Sequence, residues 1–567
     1  MNSKNILFLA HRIPYPPNKG DKIRSFNQVK FLSEAGHKVH LVCLADQKRD
    51  VSHESKLQQW CSSVHLEYMS PVRAKIMSLP WLLSPLPLSV PFFYSCRLQS
   101  EVDRLLDQQQ IDAVFCFSSV MGEYLLRSSA SSLQDTLLIM DFCDLDSDKW
   151  LQYSRSARPP MSWVYRREAT CLLKYEQALN RFFDLSLFVS QGEAELFRPL
   201  AEYPDRIHVV QNGVDHEFFN PNSQPATSFS PSPHNHPSLP ASQPPSLLAN
   251  VPPSLPADEP PSSEASLRTL LFTGAMDYQA NVDGVVWFCR TVLPRLQETM
   301  PGLKLFIVGA NPTREVQQLA DENVVVTGFV DDIRDYYLQA DICVIPLRLA
   351  RGVQNKALEA MAMAKPVVTT TKVQQGIQAA PEQDLLMPDT PQAFEQQVAR
   401  LLRDEGLARD LGRRGRDFVL QNYDWSTNLE PLKSILNVKP SRKSHRPGQT
   451  RGRMNPLYFV LLVVFLLLAN LWPMDATSPG ASITTSIDPE LQNVLHVPVY
   501  ALFGLLLLDF LHHHAITSRL RLGLFAGLGI GFCIVLELLQ LFVPGRYVSL
   551  TDILFNLTGF ALGWLVH

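Results

Sequence analysis

The residues best suited to chemistry lie in one short stretch, Arg351-Gly-Val-Gln-Asn-Lys-Ala-Leu-Glu359, just after the apolar run Ile342–Pro346. Its loop, Gly352, Val353, Gln354 and Asn355, feeds a helix predicted to begin near Lys356. Free backbone N–H groups and the dipole at a helix start favour an anion. Lys356 adds a charge for a phosphate, and Glu359, one turn on, is placed to accept hydrogen bonds from a ribose. That combination suits a nucleoside diphosphate. A Lys and a Glu three residues apart on an ordinary helix would be a solvated surface pair; the strand and glycine loop ahead of this one set it apart.

Such a site needs a doubly wound α/β domain to position it, and the chain has that rhythm twice. Strand-like runs recur at Asn5–Leu9, Lys38–Leu44, Ala113–Phe117, Thr136–Met140, Leu185–Val189 and Ile207–Val210, and Ile23–Ala35 has helical spacing. The pattern resumes at Thr269–Thr273, Lys304–Val308, Asn323–Thr327, Asp341–Ile345 and Pro366–Thr370. Between the two series, Pro221–Pro261 holds 13 of the 42 prolines and almost no charge, so it is expected to be disordered. Two α/β domains facing each other make a cleft, and open α/β sheets bind ligands at the carboxyl ends of their strands.

Composition excludes several classes. A net charge of −4 and a pI near 6.4 give no sign of a nucleic-acid partner. Nine cysteines include no C-x-x-C pair, which fits buried thiols in a reducing compartment and not a zinc or disulfide framework. Met1–Leu9 is too short, and too soon broken by His11 and Arg12, to be a signal peptide, so the N-terminus is expected to stay inside the cell. Ile76–Tyr94 is strongly apolar but carries four prolines, so it is no spanning helix. It reads either as a loop and short helix covering the domain or as a membrane-dipping lip that receives a lipid-borne substrate.

Near the C-terminus, Leu457–Trp472, Val494–Leu511, Leu522–Val543 and Val548–Val566 each approach the roughly 20 residues that span a bilayer as a helix. Ahead of the first, Lys439–Arg453 carries six Lys or Arg and no acid, which predicts that everything upstream is cytoplasmic. The same rule predicts four spans with both termini in the cytoplasm. His496, Glu537, Gln540, Asp552 and Asn556 fall inside these runs, and Arg546 between two of them. Ionisable groups at membrane depth are costly and default to a functional reading. Here that is a polar site near the outer leaflet; the alternative is a packing network that pins the helices. Gly523/Gly527/Gly531 and Gly559/Gly563 have the four-residue spacing that allows close helix packing.

Five motifs together carry a family resemblance: Tyr15-Pro-Pro-Asn-Lys-Gly-Asp-Lys-Ile-Arg24, Asp141-Phe-Cys-Asp-Leu-Asp-Ser-Asp-Lys-Trp150, Asn212-Gly-Val-Asp215, Phe272-Thr-Gly-Ala-Met-Asp-Tyr278 and Arg351–Glu359. Residues 5–435 resemble glycosyltransferase family 4, the GT-B fold, and most nearly the sugar transferases of PEP-CTERM/exosortase exopolysaccharide systems. The resemblance implies retaining transfer from a nucleotide-sugar donor, without a metal or other cofactor, between two Rossmann-like domains. It makes Glu359 the acid that holds the donor ribose. The family's other acid falls at Arg351, so that contact is altered. Where relatives carry an Arg and a Lys after the glycine equivalent to Gly274, Ala275–Asn281 has neither, and Lys356 is the substitute. Gly20 matches the glycine loop after the first strand. Lys19, Lys22 and Arg24 either steer a phosphate-bearing acceptor or form a solvated face. Asp141 is the candidate polar group at the reaction centre, and Asn212–Asp215 shapes the interdomain hinge. Asp144, Asp146 and Asp148 look like a metal cluster, against which the resemblance argues. The pattern His496…Glu537-Leu-Leu-Gln540…Pro544-Gly-Arg546…Asp552…Asn556…Gly559 resembles the VanZ-like membrane family.

The expected organisation is therefore residues 1–220 as an acceptor-side Rossmann-like domain and 221–267 as a disordered linker. Residues 268–437 follow as a nucleotide-sugar domain, 438–455 as a basic juxtamembrane linker, and 456–567 as a four-helix VanZ-like domain. The expected activity is sugar transfer from a nucleotide-sugar to a polyprenyl-linked glycan at the bacterial inner membrane, alongside other exopolysaccharide assembly proteins. The alternative is a non-catalytic nucleotide-sugar-binding scaffold or sensor. A dinucleotide oxidoreductase is disfavoured because no G-x-G-x-x-G follows either first strand.

Overall fold

The computed structural model describes residues 3–222, 268–350, 352–440, 462–468, 489–513, 518–543 and 549–566. Most of the Pro-rich segment, the basic stretch 441–453, Arg351 and Arg546 lie outside the described residues.

The first sheet has seven strands: β1 (Asn5–Ala10), β2 (Lys38–Ala45), β3 (Ser63–Tyr68), β4 (Ala113–Phe117), β5 (Leu137–Cys143), β6 (Leu185–Phe188) and β7 (Ile207–Val209). Their order is β3-β2-β1-β4-β5-β6-β7, and the pairings from β3 to β5 are parallel. Parallel strands covered on both faces read as unbroken apolar runs, and Ile6–Ala10 is fully buried. β3 escaped the sequence reading because Ser63-Val-His-Leu-Glu-Tyr68 is an edge strand, half-buried and without such a run. β5 continues past Met140 through Asp141 to Cys143.

The second sheet has five parallel strands, β8 (Thr269–Thr273), β9 (Lys304–Val308), β10 (Val324–Gly328), β11 (Ile342–Ile345) and β12 (Val367–Thr369), in the order β10-β9-β8-β11-β12. In each sheet the winding direction reverses beside the first strand, between β1 and β4 and between β8 and β11. Those reversals are where open α/β sheets leave a crevice for ligands.

The chain forms two compact units, one of residues 1–187, 197–208 and 438–567, the other of 188–196 and 209–437. Asn212–Asp215 belongs to the second. Val214 N–H donates to the Tyr423 carbonyl at 2.8 Å, and Asn428 Nδ2 donates to the Asn212 carbonyl at 2.8 Å. A Cβ on Gly213 would come within 2.7 Å of Trp425, so only glycine lets these segments touch.

The C-terminal region is helical over 462–468, Pro489–His513, Ser518–Leu539 and Leu550–Val566. Among the described residues one helical stretch, Gly523–Phe542, is long and apolar enough to cross a membrane; Val499–Leu508 and Leu550–Gly563 are shorter apolar stretches. The glycine stripes behave differently. Cβ atoms on Gly559 and Gly563 would meet the Val497 and Ala501 carbonyls at 2.4 and 2.3 Å, so this stripe is where two helices press together. Gly523, Gly527 and Gly531 face open space among the described residues; the close contact on that helix is at Gly529, against the Phe560 ring.

Candidate active site

In the second unit β11 leads into the loop at Gly352, and the helix Asn355–Ala362 follows. Ala357, Leu358, Ala360, Met361 and Ala362 bury one face of that helix against the core. Lys356 and Glu359, three residues apart, share the remaining face and stay half-buried.

Lys356 crosses to the end of β8. Its Nζ lies 4.6 Å from the Phe272 ring centroid and donates to Asn281 Oδ1 at 2.5 Å. Asn281 is itself held, its Nδ2 donating to the Ala275 carbonyl at 2.8 Å. The glycine requirement at 274 follows: φ is +146°, and a Cβ there would come within 2.7 Å of Asn281 Nδ2 and 2.8 Å of Lys356 Nζ. Burial pushes the Lys356 ammonium down to about 7, with Glu359 opposing.

Glu359 accepts from the Tyr337 hydroxyl at 3.1 Å, and Tyr337 also pairs with Thr273 Oγ1 at 3.0 Å. Burial raises the Glu359 carboxyl above its usual range, against the pull of Tyr337 and Lys356. In the loop, Gly352 has φ +60°, and its N–H donates to Glu193 Oε1 at 3.4 Å. Gln354 stands at the N-cap position, and Val353 packs on the core. Both polar side-chain atoms of Asn355 are buried without a hydrogen-bond partner. A buried amide left unpaired at a helix start is costly unless something else satisfies it.

The first unit has its own polar cluster at the carboxyl end of its sheet. Asp141 is fully buried; its Oδ2 accepts from Arg24 Nε at 3.0 Å and Gln28 Nε2 at 2.6 Å and lies 2.9 Å from Arg24 Nη2 in an ion pair, and its Oδ1 accepts from Cys143 N–H at 3.0 Å. Burial opposes the Arg24 charge, but Asp141 more than restores it, and the net direction is upward. Lys22 is equally buried and donates to Asp50 Oδ2 at 2.6 Å. Neither Lys22 nor Arg24 is solvated. Arg24 braces the Gly20–Glu34 helix on β5 and Lys22 ties it to the Lys48–His53 turn, while Gly20 is exposed and Lys19 half-exposed at the helix start.

His11 and Asp21, which the sequence did not single out, meet at the end of β1. His11 Nε2 is 3.2 Å and Arg12 Nη1 2.7 Å from Asp21 Oδ2. Burial would raise the Asp21 carboxyl, but those two partners hold it well below the usual range. Asp146 and Asp148 are engaged along their own helix, by Lys149 and Gln152.

Of the membrane-region residues, His496 Nδ1 pairs with Asn556 Oδ1 at 2.7 Å, and Asn556 Nδ2 donates to Glu537 Oε1 at 3.1 Å. Three helices are thus joined through one buried chain of hydrogen bonds. Gln540 is buried one turn beyond Glu537, and Asp552 is half-buried, its N–H capped by Ser549 Oγ at 3.2 Å.

Asn281, Tyr337, His11 and Gln28 were not visible as site residues in the sequence. Each is drawn in by tertiary contacts across 22 to 113 residues or by a neighbouring turn, and no local spacing marks it.

Three family models match the chain. Residues 24–218 match Glycosyltransferase Family 4, residues 267–404 match Glycosyl transferases group 1, and residues 414–567 match VanZ/LLP1. A Klebsiella pneumoniae protein described as an uncharacterized 44.6 kDa protein in the cps region is 20% identical over 433 residues, covering 74% of this chain and 96% of its own. Among solved structures, sucrose-phosphate synthase from Thermosynechococcus elongatus aligns with TM-score 0.54 at 16% identity, covering 76% of this chain and 98% of its own. Anabaena HepE, in complex with UDP and glucose, aligns with TM-score 0.50 at 14% identity, covering 76% and 99%. The two α/β sheets are those of the GT-B fold.

Proposed function

We propose that this glycosyltransferase, a family 4 domain and a group 1 domain followed by a VanZ-like domain, transfers a sugar from a nucleotide-sugar to a polyprenyl-linked glycan. The setting is polysaccharide assembly at the inner face of a bacterial membrane, with the C-terminal helices as the tether and retention of anomeric configuration. The matching Klebsiella protein of a cps region and the Anabaena protein holding UDP and glucose support the polysaccharide and donor classes.

The observation that carries the reading is Lys356, held by Asn281 over the end of β8 beside Gly274. There its ammonium meets the donor diphosphate and neutralises the charge that grows as the glycosidic bond to phosphate breaks, the role a metal takes elsewhere. Tyr337 fixes one oxygen of Glu359, leaving the other to accept from a ribose hydroxyl. The Asn355 amide, unpartnered at the helix start, gains hydrogen bonds when the donor enters. In the first unit, Asp141 is a positioning residue: it holds Arg24 and with it the helix that presents Lys19 and Gly20.

The test is a screen of UDP-, GDP- and CDP-sugars with membranes containing the full chain, comparing wild type with Glu359→Ala. The expected result is nucleotide release that requires a lipid-linked acceptor and vanishes in the variant, with NMR of the product giving the retained anomer. Wild type and variant that release nothing from any donor, yet support glycan export equally, would leave the scaffold reading in its place.

A further inference from the structure

The C-terminal helices hold a buried chain of polar groups that sugar transfer does not use. Its members fix its direction. Asn556 Nδ2 donates to Glu537 Oε1 at 3.1 Å, so Asn556 Oδ1 is the acceptor in the 2.7 Å contact with His496, and His496 Nδ1 carries the hydrogen. In the neutral ring, His496 Nε2 then keeps a lone pair. Both ends of the chain are therefore acceptors, His496 Nε2 at one and Glu537 Oε2 at the other. A network that only pinned helices together would satisfy its own members. This one does not: Glu537 and Asn556 are fully buried, yet Glu537 Oε2 has no hydrogen-bond partner among the described residues. The Ser549 N–H and Asp552 lie close enough to act on the carboxylate. The first does not reach hydrogen-bond geometry at Oε2, and the second adds a like charge.

Position and charge identify the missing partner. His496, Glu537 and Asn556 sit near the Pro489, Leu539 and Leu550 ends of their helices, each within about 10 Å of that end at 1.5 Å per residue. In a spanning bundle that is the depth of lipid headgroups and their first methylenes. Arg519 and Arg521 start the Ser518–Leu539 helix, about 24 Å away along its axis, and neither Pro489–His513 nor Leu550–Val566 contains a Lys or Arg. The described helices thus bring no cation to this end. An ionised carboxylate oxygen left open at that depth is costly, both for its charge and for its unmade hydrogen bond. A hydroxyl group satisfies the bond and leaves the charge, while a quaternary ammonium balances the charge and has no N–H to give. A primary ammonium does both. We propose that Glu537 Oε2 binds the primary ammonium of a lipid headgroup of the ethanolamine class. Asn556 and His496 are its positioning residues, since they hold the carboxylate by its other oxygen. The site is independent of donor and acceptor, and rests only on the C-terminal helices lying in the bilayer.

The experiment reads lipid binding and not turnover, so its failure leaves the transferase standing. The full chain, stripped of lipid in detergent, is titrated separately with dioleoyl phosphatidylethanolamine, phosphatidylcholine and phosphatidylglycerol, and native mass spectrometry counts the lipids retained. One phosphatidylethanolamine per chain is expected to bind at least ~10-fold more tightly than either other lipid. Glu537→Gln keeps an acceptor for Asn556 but turns an amide N–H2 toward the open position, and should abolish that preference while the helical circular dichroism stays the same. Equal retention of the three lipids by the wild type would overturn the proposal, whether or not the variant folds. So would a preference for phosphatidylethanolamine that survives in folded Glu537→Gln. Free ethanolamine is the last arm: if it displaces the lipid at equal concentration, the ammonium comes from solution and the lipid assignment falls.

Discussion

The proposed contact between Lys356 and the donor diphosphate predicts that donor binding takes up a proton. In the free protein its ammonium lies at about 7, pushed down by burial from an ordinary value of 10.5. A diphosphate beside it favours the charged form, so the bound value returns toward 10.5. A nucleotide-sugar diphosphate, esterified at both ends, does not itself titrate between pH 6 and 9. The protonated fraction of free Lys356 falls from about one half at pH 7 to about one hundredth at pH 9, so the donor Kd should rise ~50-fold, or ~2.3 kcal/mol. Calorimetry in buffers of different ionisation heats should show uptake of about half a proton at pH 7 and about nine-tenths at pH 8. Lys356→Arg keeps a permanent charge and should flatten the profile, and Lys356→Met should be flat and weak throughout. A wild-type Kd constant from pH 6 to 9 with no net uptake would refute the reasoning. So would a Lys356→Arg profile of the same slope, because the titrating group would then lie elsewhere.

Three further outcomes follow from named contacts. Burial raises the Glu176 carboxyl to about 8, offset chiefly by the Ser147 hydroxyl and less by the Ser147 N–H. A folded value above the unfolded one means the ionised form is disfavoured in the fold. Stability should therefore fall by about 1.4 kcal/mol per pH unit as pH rises from 4.5 toward 8. Glu176→Gln should remove that slope, and thermal melts of the two chains that stay parallel from pH 5 to 8 would contradict it. Asp141→Asn leaves the buried Arg24 guanidinium without its counter-charge and should cost about 3–5 kcal/mol in denaturant titration. A loss below about 1 kcal/mol would show that Gln28 and the backbone suffice. Gly274→Ala forces a methyl against Asn281 and Lys356. It should weaken donor binding at least ~10-fold while lowering stability by only about 1–2 kcal/mol, so unchanged affinity would remove Lys356 from the site.

The parallel strands were legible because covering both faces of a sheet leaves unbroken apolar runs, and β4, β8 and β9 fall on the expected residues. β3 was not, because an edge strand needs no such run. The loop and helix start at Gly352–Glu359 were legible because a helix start after a strand is a local feature, readable within a dozen residues. Lys22 and Arg24 were harder. Their type suggested solvent or a phosphate, but each finds its carboxylate 28 and 117 residues away, at Asp50 and Asp141, and only the sheet brings those together. The same distance dependence hid Asn281 and Tyr337, which hold Lys356 and Glu359 in place. Spacing alone also could not separate the two glycine stripes, since a stripe becomes a contact only when another helix lies against it. Gly559 and Gly563 have one, and Gly523, Gly527 and Gly531 have none among the described residues.

The stitch between Asn212–Val214 and Tyr423–Asn428 has a consequence for engineering the chain. Residues 209–222 and 268–437 belong to one compact unit, so the stretch between them leaves and re-enters the same body. The covalent crossings between units fall elsewhere, at 187/188, 196/197, 208/209 and 437/438. The Pro-rich stretch thus behaves as an insertion, and its length sets nothing about how one unit is connected to the other. An affinity tag or a fluorescent reporter placed near residue 240 would lengthen a stretch whose two ends return to one unit, and would leave both chain ends, and the C-terminal helices with them, untouched.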